Sequence, residues 1–331
     1  MTAPIPETHV LVTGGAGFIG SHLVDALLAR PATRVTVLDN LTYAGSRENL
    51  AAHDEDPRFA FVQADVTDAG VMTPLVASVD RVVHAAAETH VDRSIAGPAP
   101  FLATNVFGTQ VLLEACRTNA TPVLLVSTDE VYGANVPGAA GFVEEAPLRP
   151  RSPYAASKAS AELLGGAWFA TYGTPVTVVR GTNAFGPRQF PEKAVPVHTL
   201  AALDGRPVPV YGRGEQQREW LYVTDWVAGC LVVMDRGEPG AFYNIGAGRE
   251  LTNLELARRI CVIVGADEGL ITFVADRAGH DFRYGMDTSR LRALGWAPQR
   301  SFDDALAETV AWYRDHRDWV DARLSGAGTS G

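Results

Sequence analysis

The sequence predicts an α/β fold: a doubly wound parallel sheet followed by a smaller C-terminal α+β lobe. Three observations carry that expectation. Between residues 8 and 180, short apolar strand-like runs alternate with helix-like ones, the pattern of βαβ units whose sheet is covered on both faces. A glycine-rich turn joins the first strand to the first helix. After about residue 185 the rhythm changes to Gly- and Pro-rich connections around short strands and several helices.

The strands of the first part are expected at 9–13, 34–39, 60–64, 81–86, 123–127 and 176–180. Ile19, Leu23, Ala26 and Leu27 stand at i, i+4, i+7 and i+8, one face of the first helix. Ser152-Pro153 opens another, with a capping serine and a proline at the first helical position. In the later part, strands are expected at 208–211, 242–245 and 271–274. Ser301, three residues before Asp304, marks a capping-box-like start to a late helix with Phe302, Leu306, Val310 and Tyr313 on one face. The chain therefore divides into a first domain, 1–184 with a returning segment near 222–246, a second lobe, 185–323, and a flexible tail, 324–331.

The 331 residues, 47% hydrophobic and 20% charged, are ordinary globular composition. A net charge of −10 argues against a nucleic-acid or anionic-membrane surface, so an anionic ligand must be held by local cations. Cys116, Cys230 and Cys261 are far apart and lack CxxC spacing, so neither a disulfide framework nor a metal site is expected. The first residues lack a leader's basic and apolar regions, and no apolar run approaches the ~18 residues of a membrane span; a cytoplasmic protein is expected.

Gly14, Gly17 and Gly20 follow the first strand and open the first helix, and Gly15-x-Gly17-x-x-Gly20 fits the tighter dinucleotide pattern. Such a turn needs glycine for its tightness, for close approach of a pyrophosphate to backbone N–H groups at the positive helix end, and for helix-on-strand packing. Asp39 ends the second strand 19 residues after Gly20, where a carboxylate accepts both ribose hydroxyls and repels a 2′-phosphate. A Rossmann-like site for NAD rather than NADP is expected. The plain alternative, a glycine turn with a surface aspartate, does not account for the strand and helix on either side.

Ser127-Thr128-Asp129-Glu130-Val131-Tyr132-Gly133 follows the run Val123-Leu124-Leu125-Val126, so two adjacent carboxylates and a hydroxyl fall at a strand's carboxyl end, where open α/β sheets bind ligands. Alone, they would read as solvated loop acids or capping groups. Tyr154 and Lys158, four apart on one helix, project from the same face. An ammonium there lowers a phenol from about 10 toward neutrality, making it a base. A packed tyrosine with a solvated lysine is the commoner origin of a random Tyr-x-x-x-Lys; the glycine turn and the Thr128 hydroxyl favour the functional pair.

With Gly14-x-x-Gly17-x-x-Gly20, Thr128 and Tyr154-x-x-x-Lys158, the chain resembles the extended short-chain dehydrogenase/reductases that act on nucleotide sugars, and among them the dTDP-glucose 4,6-dehydratase family. Ala85 to Ser94, Ser127 to Gly133, Gly186-Pro187-x-Gln189-Phe190-Pro191-Glu192-Lys193, Arg218-Glu219-Trp220 and Gly279-His280-Asp281-x-Arg283-Tyr284 resemble segments of that family in the same order, from about residue 9 to 319. The resemblance implies that Tyr154, with Lys158 and Thr128, takes the proton of the sugar 4-hydroxyl while NAD accepts hydride from C4. Glu130 then removes the C5 proton, Asp129 donates to the departing C6 hydroxyl, and hydride returns to C6, regenerating a tightly bound cofactor.

The resemblance implies cofactor contacts at Gly14, Gly17, Phe18, Ile19, Gly20, Asp39, Asn40, Leu41, Thr42, Asp65, Val66, Ala85, Ala86, Ala87, Thr104, Tyr154 and Lys158. It implies substrate contacts at Thr89, Thr128, Asn183, Lys193, Ala194, Pro209, Val210, Tyr211, Arg218, Asn253, Asp276, Arg277 and His280. Lys193 and Arg218 are the cations for a diphosphate; as ordinary surface cations they would mean little. A homodimer through helices near 98–117 and after Ser152 is also implied by the resemblance; the charge and the lack of a long apolar run lead us to expect no nucleic-acid or membrane partner. Two departures stand out. Asn183-Ala184-Phe185-Gly186-Pro187 lacks an amide and a phenol usual near the cofactor and substrate, and Leu221 to Trp226 lacks a usual histidine or acid pair.

Two other readings share the scaffold. A nucleotide-sugar 4-epimerase or UDP-glucuronate decarboxylase would use the same Tyr154 and Lys158, but the epimerases lack the Asp-Glu pair and the decarboxylases usually carry serine where Asp129 stands. A non-catalytic NAD-binding protein of this fold would commonly lack the tyrosine or lysine. The motifs do not choose thymine over uracil, the exact sugar or the pathway.

Overall fold

The computed structural model describes residues 8–276 and 279–327. Its strands are β1 (Thr8–Thr13), β2 (Thr33–Asp39), β3 (Phe59–Gln63), β4 (Arg81–His84), β5 (Val123–Thr128), β6 (Val176–Gly181), β7 (Asn183–Phe185), β8 (Val208–Tyr211), β9 (Gln217–Tyr222), β10 (Phe242–Ile245), β11 (Glu250–Thr252) and β12 (Ile271–Val274). Seven of them form one sheet in the order β10-β6-β5-β4-β1-β2-β3, every neighbouring pair parallel. The chain runs from β1 outward through β2 to β3, then returns to lay β4 on the other side of β1. The strand order reverses there, which opens a crevice at the carboxyl ends.

The helices on this sheet are α1 (Phe18–Leu28), α2 (Ala69–Ala77), α3 (Val91–Ala96), α4 (Ala99–Phe101), α5 (Thr109–Asn119) and α6 (Pro153–Tyr172). Alternate residues of one strand feed opposite cores: Val10 and Val12 of β1 pack with Leu23, Val24 and Leu27 of α1, while Leu11 packs with Leu112 and Leu113 of α5. That two-sided burial is why these strands read as continuous apolar runs. β4 stops at His84, shorter than the expected 81–86, because the chain leaves the sheet to pass over Gly14. The helix expected near 98–117 is interrupted by a π-helical stretch, Leu102–Gly108, between α4 and α5.

The remaining helices are α7 (Ala194–Leu203), α8 (Val223–Arg236), α9 (Asn253–Val264), α10 (Ser289–Ala293), α11 (Phe302–Asp315) and α12 (Arg317–Ala327). Helix α8 returns to the large sheet beside α1 and delivers β10 to its edge. The rest forms a second core between α7, α9, α11, the sheet β11-β9-β7 and the parallel pair β12-β8. Thr252 and Glu255 close a capping box on α9, and Ser301 accepts from the Asp304 N–H at 3.2 Å on α11. Helix α12 continues to Ala327, past Arg323 where the tail was expected to fray; 328–331 lie outside the described residues. Among the described residues no helix is long and apolar enough to cross a membrane, and no group of three or more His, Cys, Asp or Glu could hold a metal.

A buried ion pair ties the large sheet to α6. The Arg180 guanidinium on β6 donates to Glu162 Oε2 on α6 at 2.9 and 2.8 Å, while Ser127 on β5 donates to the other carboxylate oxygen. Arg180 also donates to Tyr132 Oη and the Glu144 carbonyl, at 2.7 and 2.8 Å, and Tyr132 donates to Asn244 of β10 at 2.7 Å. Removing one partner strands the other charge in the core. Glu162→Ala is therefore expected to cost about 3–5 kcal/mol of unfolding free energy, read from urea denaturation at constant m; a loss under about 1 kcal/mol, the level of an exposed pair, would contradict this role.

Candidate active site

The crevice begins at the glycine turn. Gly14 has φ +71°, and a Cβ on it would lie 2.6 Å from the Ala86 backbone; one on Gly20 would lie 2.0 Å from the Gly14 carbonyl. Gly17 caps α1 with no side chain bonded to its free N–H groups and no acidic residue in the first turn, so that positive helix end is left for an anion. Asp39 closes the turn, accepting from Ala16 N at 2.9 Å and Leu41 N at 2.8 Å, and burial raises its pKa. These features fit a dinucleotide. Around them lies a cavity of about 310 Å³ lined by Gly14, Gly17, Phe18, Ile19, Gly20, Asp39, Asn40, Thr42, Asp65, Val66, Ala85, Ala86, Ala87, Thr104, Tyr154 and Lys158. Leu41 is not among the residues that line it; its side chain packs on the hydrophobic core and its N–H donates to Asp39.

At the far end of the cavity stand Thr128, Asp129, Glu130, Tyr154 and Lys158. Thr128 ends β5 and caps a 3-10 turn, Asp129–Tyr132, its hydroxyl accepting from Glu130 N at 3.3 Å. Ser152 caps α6 by accepting from Ala155 N at 3.1 Å, which sets Tyr154 in the first turn and Lys158 one turn later. Lys158 Nζ donates to the Val126 carbonyl at 2.7 Å. Burial lowers the ammonium to about 8. The Tyr154 phenol is raised above its ordinary 10 by burial and then by the Glu130 charge, with a Thr128 hydrogen bond opposing. Desolvation and the neighbouring carboxylate set this direction, which is opposite to the lowering toward neutrality expected of the Tyr154/Lys158 pair.

Asp129 is buried and Glu130 half-buried. Burial, then the Glu130 charge, raises the Asp129 carboxyl to about 8, against the pull of Arg218. Thr128 Oγ1 donates to its Oδ1 at 3.1 Å, and Oδ2 has no partner among the described residues. The two neighbouring acids thus occupy unlike environments.

A second cavity, of about 370 Å³, adjoins the first; Thr89, Glu130, Asn183, Ala184, Gln189, Glu192 and Lys193 line both. Ala194, Pro209, Val210, Tyr211, Arg218, Asn253 and His280 line the second. Arg218 donates to the carbonyls of Gln217, Asp281 and Phe282 at 2.7, 2.9 and 3.3 Å and lies over the Tyr284 ring, with no ion pair among the described residues. Lys193 caps α7 and reaches the Thr89 carbonyl at 3.1 Å. Asp276 stands behind the wall, accepting from His280 Nδ1 at 2.6 Å and Gln216 Nε2 at 2.8 Å; Arg277 lies outside the described residues.

Gln189 and Glu192, in the Gly186 to Lys193 segment, and Glu88, directly after Ala85 to Ala87, also line the first cavity, and the sequence motifs give them no role. Trp226, which lines the first cavity from α8 and donates to the Thr182 carbonyl at 3.2 Å, has no local signal. The departure at Phe185 is resolved by packing. Its ring is fully buried against Trp220, Tyr222 and Phe302 and lines neither cavity, so the missing phenol belongs to the core, whereas Ala184 does line both.

With its pKa at about 8 against an ordinary 3.8, Asp129 holds a proton in the folded chain that the unfolded chain has lost between about pH 4 and 8. Stability therefore falls as pH rises through that window and levels off above it. Asp129→Asn, neutral at every pH, is expected to raise the unfolding free energy at pH 7 by on the order of a few kcal/mol, with the gain shrinking toward pH 4. Urea unfolding at pH 7 and pH 4.5 measures it; a destabilised variant at pH 7 contradicts a protonated Asp129.

Residues 11–309 match the model of the GDP-mannose 4,6 dehydratase family. The dTDP-glucose 4,6-dehydratase of Actinoplanes sp. is 49% identical over 318 residues, 94% of this chain and 99% of that protein. DesIV, a dTDP-glucose 4,6-dehydratase from Streptomyces venezuelae crystallised with NAD bound, superposes with a TM-score of 0.93 at 48% identity, covering 96% of this chain and all of that one. The UDP-glucose 4-epimerase of Thermotoga maritima, crystallised with UDP-glucose, has a TM-score of 0.86 at 33% identity over 93% of this chain and 99% of that one. The chain belongs to the GDP-mannose 4,6 dehydratase family and, within it, to the dTDP-glucose 4,6-dehydratases.

Proposed function

We propose that this chain dehydrates dTDP-glucose to the 4-keto-6-deoxy sugar and water, with NAD as its resident cofactor. The observation that carries the reading is the unequal carboxyl pair: Asp129, protonated below about pH 8, beside Glu130, which lines the cavities on both sides. Asp39 would hold the adenosine ribose of NAD and the N–H groups of the glycine turn its pyrophosphate, with Tyr154 and Lys158 lining the same cavity for the chemistry at the nicotinamide. Bound NAD supplies the acceptor for the C4 hydride, the donor that returns it to C6, and a positive charge that favours the tyrosine phenolate.

In this reading Tyr154 takes the 4-hydroxyl proton, with the Thr128 hydroxyl holding the phenol oxygen and Lys158 supplying an ammonium below about pH 8. The 4-ketone acidifies C5–H. Glu130 removes that proton, Asp129 donates to the departing C6 hydroxyl as water leaves, and Glu130 returns a proton to C5. Arg218 and Lys193 hold the diphosphate, since Arg218 already has its geometry fixed by carbonyls and its charge left over. Residues 1–184, with the return near 222–246, hold the cofactor, and 185–323 hold the nucleotide sugar. A cytoplasmic homodimer fits the apolar Leu102, Phe107 and Leu163 exposed on the π-helical stretch and α6.

A 4-epimerase shares the Tyr154 chemistry, so the likeness to the Thermotoga protein is a likeness of scaffold. The Asp129–Glu130 pair is what water loss needs and epimerisation does not. Purified protein incubated with dTDP-glucose, UDP-glucose and UDP-N-acetylglucosamine is expected to remove one water from dTDP-glucose, read as a product about 18 mass units lighter by the stoichiometry of the elimination. An unchanged mass with galactose configuration would make it an epimerase. Glu130→Gln is expected to block exchange of the C5 hydrogen with deuterated solvent while some C4 oxidation survives; full turnover by that variant would remove Glu130 from its role.

A further inference from the structure

The C-terminal helix α12 packs, through Trp319 and Arg323, on the segment 46–49 behind the glycine turn, a contact that no part of the reaction above uses. Trp319 Nε1 donates to Asn49 Oδ1 at 3.0 Å, and Asn49 Nδ2 donates to the Ala16 carbonyl at 2.8 Å. Both bonds are buried. An indole N–H can only donate, so it compels the Asn49 amide to turn its oxygen toward Trp319 and its amino group toward Ala16. Ala16 lies between Gly15 and Gly17, and its N–H is held by Asp39 on the opposite side. Its peptide groups are thus gripped at both ends, one by the end of β2 and the other, through Asn49, by the Trp319 side chain, which lies 270 residues beyond Asn49.

Two further ties reinforce the same point. Arg323 lies over the Trp319 ring at 4.5 Å and donates to Ser46 Oγ at 2.7 Å and Glu48 Oε2 at 2.8 Å, while Ser46 N donates to the Ala16 carbonyl at 3.0 Å. Arg188, a non-glycine residue at φ +65°, donates to the Asn49 carbonyl at 2.8 Å and to Asp25 of α1. A strained backbone held by such contacts indicates that its place is over-determined.

We propose that α12 is a brace for the cofactor turn, with Trp319 a positioning residue that acts through Asn49 to hold the Ala16 carbonyl, so that the N–H groups of the turn stay aimed at the pyrophosphate and NAD is retained between turnovers. The proposal rests on the NAD reading given above. A cofactor that must be reused in place needs slow release, and rigidity of the anion-binding backbone reduces the ordering cost of binding. Because α12 belongs to the end of the chain and the turn to its beginning, retention also requires that the two ends be assembled.

The test is the rate at which isotopically labelled NAD exchanges into the purified protein, with dTDP affinity measured alongside. Trp319→Phe keeps an aromatic side chain, though a smaller one, and removes the donor; it is expected to speed exchange about five-fold or more, with dTDP affinity unchanged within about two-fold. Asn49→Ala is expected to do at least as much, and Trp319→Phe in that background to add nothing, since its effect passes through the amide. Arg317→Ala, which cuts the exposed tie of the same helix to Asp204, is expected to exchange at the wild-type rate. Wild-type exchange in Trp319→Phe, or effects of the two changes that multiply, overturns the brace. If Trp319→Phe does not fold, Arg323→Gln decides: faster exchange supports the brace and an unchanged rate overturns it. Wild-type protein that takes up no NAD removes the cofactor reading and the brace together, an outcome distinct from normal uptake with unaltered variants.

Discussion

The site depends on the buried pair of Arg180 and Glu162. Both side chains are almost wholly inaccessible, and a charge in that position is tolerated only when it is paired and its remaining groups are bonded. Arg180 meets that condition through Glu162, Tyr132 and the Glu144 carbonyl, and Glu162 through Arg180 and Ser127. Those partners lie on β5, β6, α6 and the 132–144 segment. Ser127 immediately precedes Thr128, and Glu162 is one turn beyond Lys158. The network therefore fixes the strand that carries Thr128, Asp129 and Glu130 against the helix that carries Tyr154 and Lys158.

Around that frame the pocket departs from the rule that buried polar atoms find partners. Asp129 Oδ2, Asn183 Oδ1 and Gln189 Oε1 are buried without one among the described residues, and all three side chains line the cavities. Polar groups left in that state inside a cleft are the groups a polar ligand can satisfy, and a hydroxyl-rich sugar has the complementary donors. The same burial that strands Asp129 Oδ2 keeps its carboxyl protonated. Solvent exclusion thus serves both recognition and acid chemistry, at a cost in stability that the surrounding ion pair and cores offset.

Much of this was legible in the sequence because it rests on local constraints. The glycine turn is legible because φ +71° at Gly14 and the close approach at Gly20 admit no side chain, and Asp39 because a strand of known length places it. Tyr154 and Lys158 share a face by helix periodicity alone. Other features were not legible because they depend on what surrounds a residue. Phe185 reads as a departure in a motif, yet its ring is core; Leu41 reads as part of the cofactor turn, yet its side chain packs on the core while its N–H donates to Asp39. The direction of the Tyr154 shift also reversed, since burial and Glu130 act through space that spacing does not reveal.

By itself the sequence determined the βαβ order, the glycine turn at the head of α1 and the shared face of Tyr154 and Lys158, because each follows from backbone geometry or side-chain period within a few neighbouring residues. It also placed the chain, by resemblance, among enzymes that oxidise C4 of a nucleotide sugar. Only the tertiary structure decided that Asp129 is the carboxyl buried away from water, that Arg218 is held by backbone carbonyls over the Tyr284 ring, and that α12 packs on the segment behind the glycine turn. Those outcomes depend on desolvation and on contacts between residues far apart in the chain, and neither is encoded at any single position.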